Sequence, residues 1–316
     1  MQPTSLTTRH GGFAEWRDTV TRDFKKHYAT YALAIFGIAF YIIFCYVPIY
    51  GLIIAFKDYN ASAGIMGSTW VGFKHFRIFF QSVYFTRILK NTLLLNFYGI
   101  LFGFPIPIII ALLLDEAKCL KFRRVVQTVS YLPHFISIVV ACGIVVDFTS
   151  SNGIITNLAR TFGSDSKCLL LEPKLFRTIY IVSDIWQEAG WCSIIYLAAL
   201  AGLDSQLIEA AQIDGAGKLR QIWHITLPSI MPTIVIMFIL RVGNVMSLGA
   251  EKVILLYDPV TYETADIISS YIYRKGLIEN QYSFSTAVGL FNSVINCMLV
   301  FGANYLGNKY TESGLF

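Results

Sequence analysis

Six apolar runs, near residues 31 to 56, 91 to 114, 127 to 147, 176 to 203, 228 to 256 and 282 to 306, constrain this chain more than any other feature. Each is long enough to cross a bilayer, since about 20 apolar residues in a helix span roughly 30 Å of hydrocarbon. In lipid every backbone polar group must be paired within its helix or in a closed barrel, and the alternating ten-residue pattern of barrel strands is absent. The expected fold class is therefore all-α: a polytopic membrane protein of six transmembrane helices. Composition agrees, because 55% of the 316 residues are hydrophobic and only 14% charged, against about a quarter charged in a soluble domain. Prolines 48, 105, 107, 133 and 232 are expected to bend or end helices locally.

The formal charge is +5, but Lys and Arg lie in short clusters between the runs, which is the pattern of membrane topology and not of a face that tracks phosphates. Membrane lipid is an expected partner and nucleic acid is not. Residues 115 to 126 hold Lys118, Lys121, Arg123 and Arg124, and the N-terminal segment holds Arg9, Arg17, Arg22, Lys25 and Lys26. Basic residues on short connections stay in the cytoplasm, so six spans place both termini there. Residues 57 to 89, 148 to 175 and 257 to 281 become external loops, and Ile267, Ile268, Tyr271 and Ile272 in the last of these allow a short amphipathic helix. No cleaved signal peptide is expected. Within residues 1 to 29, Phe13, Trp16, Val20 and Phe24 recur at helical spacing, which reads either as an interfacial amphipathic helix or as a tail containing aromatics. Residues 30 to 316 form the membrane domain. Six scattered cysteines without a CxxC pair indicate neither a zinc site nor a disulfide framework, and most are expected to be packing residues.

Between the fourth and fifth runs lies a polar insertion, residues 204 to 228, DSQLIEAAQIDGAGKLRQIWHITLP. Asp204 can cap a short helix carrying Leu207, Ala210, Ala211 and Ile213, and Gly215 can supply a left-handed stop. A second amphipathic turn follows through Leu219, Ile222 and Trp223, and Pro228 ends the unit. The segment reads as a compact docking knob on the cytoplasmic face. Glu209 is expected to fix its turn by hydrogen bonds.

Glu209-Ala210-Ala211, three residues, Gly215, nine residues, Ile225, one residue and Leu227-Pro228 resemble, at every spacing, the EAA signature of binding-protein-dependent ABC importer permeases. PIYGLIIAFKDYN from residue 48, WVGFKHF from 70, VVQTVSYLPHFIS from 125, DIWQEAGWCSIIYLAALAGLD from 184 and the ending ESGLF look like the LplB-type oligosaccharide permease subgroup, although Phe316 stands where Trp is expected. The resemblance implies a type I ABC importer permease architecture, with a cytoplasmic coupling helix between helices 4 and 5. It assigns coupling to Glu209, Ala210, Ala211, Asp214, Gly215 and Ala216. It also implies a second homologous permease subunit, an ATP-binding cassette ATPase dimer that holds ATP and Mg, an extracytoplasmic solute-binding protein, a carbohydrate substrate and a bacterial plasma membrane.

This chain itself is expected to bind no cofactor and no metal. Gly215-Ala216-Gly217-Lys218 superficially looks like a phosphate loop, but Gln212 occupies the position of its first glycine and Leu219 follows the lysine where Ser or Thr would hold magnesium. Catalysis has no support either. His134 and His224 stand isolated in sequence, and no HExxH or GxSxG occurs.

Charged groups inside spans are kept facing protein or water. In the fourth run Asp184, Gln187 and Glu188 share a helical face by their spacing, with Trp191 one turn on. Carboxylates and amides beside indole rings suit a sugar, whose hydroxyls take hydrogen bonds while its C–H faces lie on the rings. The alternatives are that Asp184 or Glu188 pairs with Arg241 as a structural ion pair, and that Trp191 belongs to packing or an interfacial belt. Arg241, Asn244, Ser247 and Glu251 continue a polar stripe in the fifth run, and Asn292 and Asn296 in the sixth either line a cavity or bond to a neighbouring helix. A permease subunit of an ATP-driven carbohydrate importer, itself no enzyme and working by alternating access, is the leading reading. The runner-up is a self-contained secondary transporter or channel, which ought to show inverted repeats or broken midplane helices for a coupling ion.

Overall fold

The computed structural model of the chain describes residues 22 to 311, apart from 25, 164, 244 and 246 to 248. Phe13, Trp16, Val20, Asn244, Ser247 and Phe316 therefore lie outside the described residues. Among the described residues, four helices are long and apolar enough to cross a membrane: Tyr28–Phe56, Phe85–Asp115, Ile138–Thr161 and Tyr282–Lys309. Two bent pairs, Pro173–Ala201 with Ser205–Ile213 and Lys218–Ser229 with Met231–Gly243, raise the number to six if each counts as one span.

Two of the runs are not single helices. The third passes from Leu120–Tyr131 through a 3-10 turn at Leu132–Phe135 into Ile138–Thr149. Pro133 has no N–H for the ladder, and the Ser137 hydroxyl accepts from Val140 N at 3.4 Å to start the next helix. The fifth run holds the helix Met231–Gly243 and a separate helix, Ala250–Leu256, that starts after a non-helical Gly249. Glu251 thus does not continue a helical stripe from Arg241.

Prolines act in a consistent way elsewhere. The π turns Ile42–Tyr46, Gly99–Gly103 and Ile222–Thr226 end just before Pro48, Pro105 and Pro228, respectively. A wider turn lets carbonyls that lose a partner at proline find a later N–H. Pro232 lies in the first turn of Met231–Gly243, where its N–H would have no partner in the helix anyway, and the chain bends by 63° at that junction.

Burial is organised in three clusters. Ala111, Leu114, Tyr196, Leu197, Leu200 and Ile230 join the second, fourth and fifth spans next to the knob. Leu95, Phe176, Tyr180, Val253 and Ile267 form a middle cluster, and Phe79, Ile88, Ile268, Tyr271, Phe284 and Val288 close the opposite end. At Gly190 a Cβ would collide with the Ser130 carbonyl, so the fourth span approaches the third at backbone contact. The first span is different: the apolar stretch of Tyr28–Phe56 that defines it buries nothing inside the chain. Phe24 meets Tyr31 in ring contact, with centroids 5.0 Å apart.

The three longer connections gather at the end away from the knob. A two-residue antiparallel pair, Lys57 with Trp70 and Asp58 with Thr69, is a small exception to the helical fold. Tyr59 N donates to Ser283 Oγ at 2.9 Å, tying this hairpin to the sixth span. The helix Ile268–Tyr273 carries buried Ile268 and Tyr271, as its amphipathic spacing predicts, and is anchored by the fully buried Asp266, which accepts from Arg274 Nη2 at 2.6 Å and Nη1 at 3.2 Å. That segment caps the bundle. The cysteines meet their expectation only in part, since all six are free thiols but Cys45, Cys119 and Cys297 are exposed.

Candidate functional site

The knob is built by local rules. Asp204 accepts from Gln206 N at 2.9 Å and opens the helix Ser205–Ile213. The helix stops at Gly215, whose φ of +76° is a conformation that glycine adopts without steric penalty. Gly215 N then donates to Gln212 O at 3.1 Å and Ala216 N to Ala211 O at 2.9 Å, a left-handed cap closed entirely by backbone. Glu209 is exposed and takes no part in fixing this turn, which corrects the expectation from sequence. Nor does any atom lie within 4 Å of a Cβ built on Gly215, so glycine is needed there for its φ and not for space inside the chain.

After the turn, Gln221 is buried and its Nε2 donates to Ala216 O at 2.6 Å, which ties the short helix Lys218–Gln221 to the turn. Lys218 Nζ lies 2.9 Å from Glu116 Oε2, joining the knob to the basic connection after the second span. The large apolar side chains face outward: Ile213 is 86% exposed and Trp223 66%, and Leu207 and Leu219 are exposed as well. Ala210, Asp214 and Gly215 are also exposed, and Ala211 and Ala216 partly so.

The fourth span, Pro173–Ala201, holds a second constellation that helical spacing describes less well. Gln187 is 5% exposed and turns inward, its Nε2 donating to Ile136 O at a long 3.5 Å. It does not share a wet face with the acids. Glu188 Oε2 lies 2.9 Å from His134 Nδ1, and the His134 ring stacks on Trp191 at 4.5 Å between centroids with an interplanar angle of 3°. Phe135 meets the same indole edge-on at 5.3 Å. His134 is isolated only in sequence, because the 3-10 turn at Pro133 delivers it to the fourth span. The result is a half-exposed aromatic platform beside a carboxylate, an arrangement suited to a sugar ring.

On the other flank, Asp184 is shared between two cations. Lys252 Nζ lies 3.3 Å from Oδ1, and Arg241 Nη2 lies 3.7 Å from Oδ2. The pairing with Arg241 matches one alternative drawn from sequence, whereas Lys252 was not foreseen, since it sits on the separate helix after the fifth span. Asp184, Glu188 and Arg241 line a cleft of about 100 Å³ with Phe104, Pro107 and Met237. Gly99 admits the guanidinium, because a Cβ there would lie 3.3 Å from Arg241 Nη2. Of the sixth-span pair, Asn292 is buried and Asn296 half-buried.

Residues 90 to 311 match the family described as binding-protein-dependent transport system inner membrane component. The chain is 44% identical to protein LplB of Bacillus subtilis over 293 residues, covering 92% of each chain. It is 45% identical to the polygalacturonan/rhamnogalacturonan transport system permease protein YteP of the same organism over 288 residues, covering 90% of this chain and 89% of that one. The crystal structure of a bacterial alginate ABC transporter, in complex with an alginate pentasaccharide-bound periplasmic protein, contains a chain that superposes with a TM-score of 0.86 at 45% identity, covering 93% of this chain and 99% of that one. With a knob carrying the EAA spacing and a bundle that superposes over nearly its whole length, the chain belongs to the binding-protein-dependent inner membrane components, the non-catalytic, multi-pass permease subunits of ABC importers.

Proposed function

We propose that this permease forms one half of a pathway that imports oligosaccharides, alternating between outward and inward access with a second homologous permease subunit. An ATPase dimer, holding ATP and Mg, would seat one copy on the knob and leave the other for the second permease. A solute-binding protein would deliver sugar at the opposite end, which makes the knob end cytoplasmic and places both termini there. The single observation that carries this reading is the knob itself. It is a folded element whose largest apolar side chains, Ile213 and Trp223, are exposed at an end where the basic connection also lies, and a self-contained carrier has no use for it.

The apolar stretch that defines the first span buries nothing inside the chain, a face that lipid or the second subunit would cover. The roles of two similar proteins, an ABC transporter involved in the import of the acidic polysaccharide alginate and a polygalacturonan/rhamnogalacturonan transport system permease, favour fragments of acidic polysaccharides as the substrate. Coupling is assigned to Glu209, Ala210, Ala211, Asp214, Gly215 and Ala216. The pathway is assigned to Asp184, Glu188, Trp191 and Arg241, with His134 added and Gln187 placed beneath them. Reconstitution tests this directly. Uptake of oligosaccharide into proteoliposomes should require the second permease, the ATPase and ATP together, and uptake by the purified chain alone would overturn the reading.

A further inference from the structure

Two acids line the cleft on the fourth span, and both are engaged. Glu188 is drawn to His134 on the side of the third span. Asp184 is held from beneath by Lys252, a side chain only 4% exposed whose Nζ also lies 5.2 Å from the centroid of the Tyr180 ring. A buried ammonium is stable only when paired, so Lys252 and Asp184 belong together whatever occupies the cleft. Arg241 is placed differently. Its side chain is 41% exposed, lines the cleft, and reaches Asp184 only at 3.7 Å, outside direct hydrogen-bond range. No other acid lies within 4.0 Å of it among the described residues.

We propose that Lys252 is a positioning residue that sets the charge of the substrate: by holding Asp184 it leaves the Arg241 guanidinium to receive the carboxylate of a uronic acid in the passing chain. A guanidinium presents a planar fork matched to a carboxylate. If Asp184 had only Arg241 as its partner, that fork would close on Asp184 and the cleft would offer neutral sugars the better fit. With Asp184 held by Lys252 and Glu188 drawn to His134, the Arg241 guanidinium is the cation of the cleft with no acid in direct hydrogen-bond range among the described residues. The weak affinity a release pathway needs is kept, because the guanidinium is exposed and remains partly shared with Asp184. The inference rests on the oligosaccharide pathway proposed above.

The test uses the assembled complex of both permeases and the ATPase in nanodiscs, without the binding protein, so that the selectivity of that protein does not enter. Binding of trigalacturonate and of its neutral methyl ester is measured by saturation-transfer NMR. The wild-type complex should prefer the acid by about tenfold, the scale of one hydrogen bond to a charged group. Lys252→Met and Arg241→Met should each bring the preference within about twofold of unity, Lys252→Arg should restore it, and Asp184→Asn should raise it. If wild type binds both sugars equally, or Lys252→Met keeps the preference, the inference falls while the oligosaccharide pathway stands. If neither sugar binds, both fall. Where either single variant fails to assemble, the double variant Lys252→Met/Asp184→Asn, which leaves neither partner of the pair charged and alone, decides: Arg241 is then unshared and the preference for the acid should persist, and its loss there overturns the proposal.

Discussion

The knob and the polar face of the fourth span are built in opposite ways. The knob is held by contacts close in sequence: Asp204 to Gln206, Ala216 to Ala211 and Gln221 to Ala216. The polar face is held by contacts that join distant parts of the chain, His134 to Glu188 across 54 residues and Lys252 to Asp184 across 68. Local bonds make a unit that can be read from spacing and that moves as one body. Distant bonds make a site whose membership depends on how helices pack, and which can change when the packing does.

The largest effect should come from breaking the packing beneath the polar face. Gly190→Leu forces a side chain into the Ser130 carbonyl, and overpacking of this kind costs about 1 to 3 kcal/mol or more. Folded yield and thermal stability in detergent should collapse, and a stable, active Gly190→Leu protein would show that the two spans separate more readily than their contact indicates.

Next comes the turn of the knob, where the requirement is conformational. Gly215→Val should lose about 1 to 2 kcal/mol locally through the left-handed backbone, and ATPase co-purification should fall while membrane insertion persists. Gly215→Asn should couple far better, since asparagine tolerates this region and no atom within the chain obstructs it. Equal loss in both variants would mean that contact with a partner, and not φ, forbids the side chain. Glu209→Lys should weaken coupling without changing stability, because Glu209 is exposed and does not close the turn. A drop in melting temperature would restore a structural role.

Two substitutions on the fourth span separate its inner and outer sides. Gln187→Ala should reduce stability by about 1 kcal/mol, the scale of a lost buried hydrogen bond, with little change in transport per folded molecule. Trp191→Ala should lower the transport rate at unchanged protein level. Reversal of that pattern would place the pathway on the inner side.

The smallest effect is electrostatic and lies at the end away from the knob. The hydrogen bond from Lys74 holds the Asp58 carboxyl below its ordinary pKa, with His75 adding to the effect. A depressed carboxyl stabilises the fold above its unfolded pKa of about 4 and loses that contribution as pH falls below it. Solvent screens an exposed pair strongly, so thermal stability should be nearly flat from pH 7 to 5. Below about pH 4, Asp58→Asn should close most of its small gap to wild type. A gap that persists there would show that Asp58 acts through shape.

The presence of the membrane runs, the proline bends and the backbone of the coupling turn were legible because each depends on a property that neighbouring residues carry themselves: hydrophobic length, a missing N–H, a capping carboxylate, a glycine where φ is +76°. The sixth span and the end of the fourth fall within a few residues of the runs in the sequence. Gln187 was misplaced because spacing assigns a face but not what packs on that face. His134 was overlooked because its partner is 54 residues away, delivered by a turn at Pro133 whose presence was expected but whose direction was not. The one signal that pointed to Lys252 was its charge in an apolar neighbourhood, and that alone names no partner.

By itself, then, the sequence determined that the chain crosses a membrane as helices and presents a knob at Asp204 to Pro228, since insertion energy and backbone capping act over one helix at a time. Only the tertiary structure decided which charges meet. Pairing Asp184 with both Lys252 and Arg241, and Glu188 with His134, depends on the angle between spans and on the non-helical Gly249 that starts the helix Ala250–Leu256. Those are set by packing across all the spans at once, through contacts such as Gly190 against Ser130 and Gly99 against Arg241.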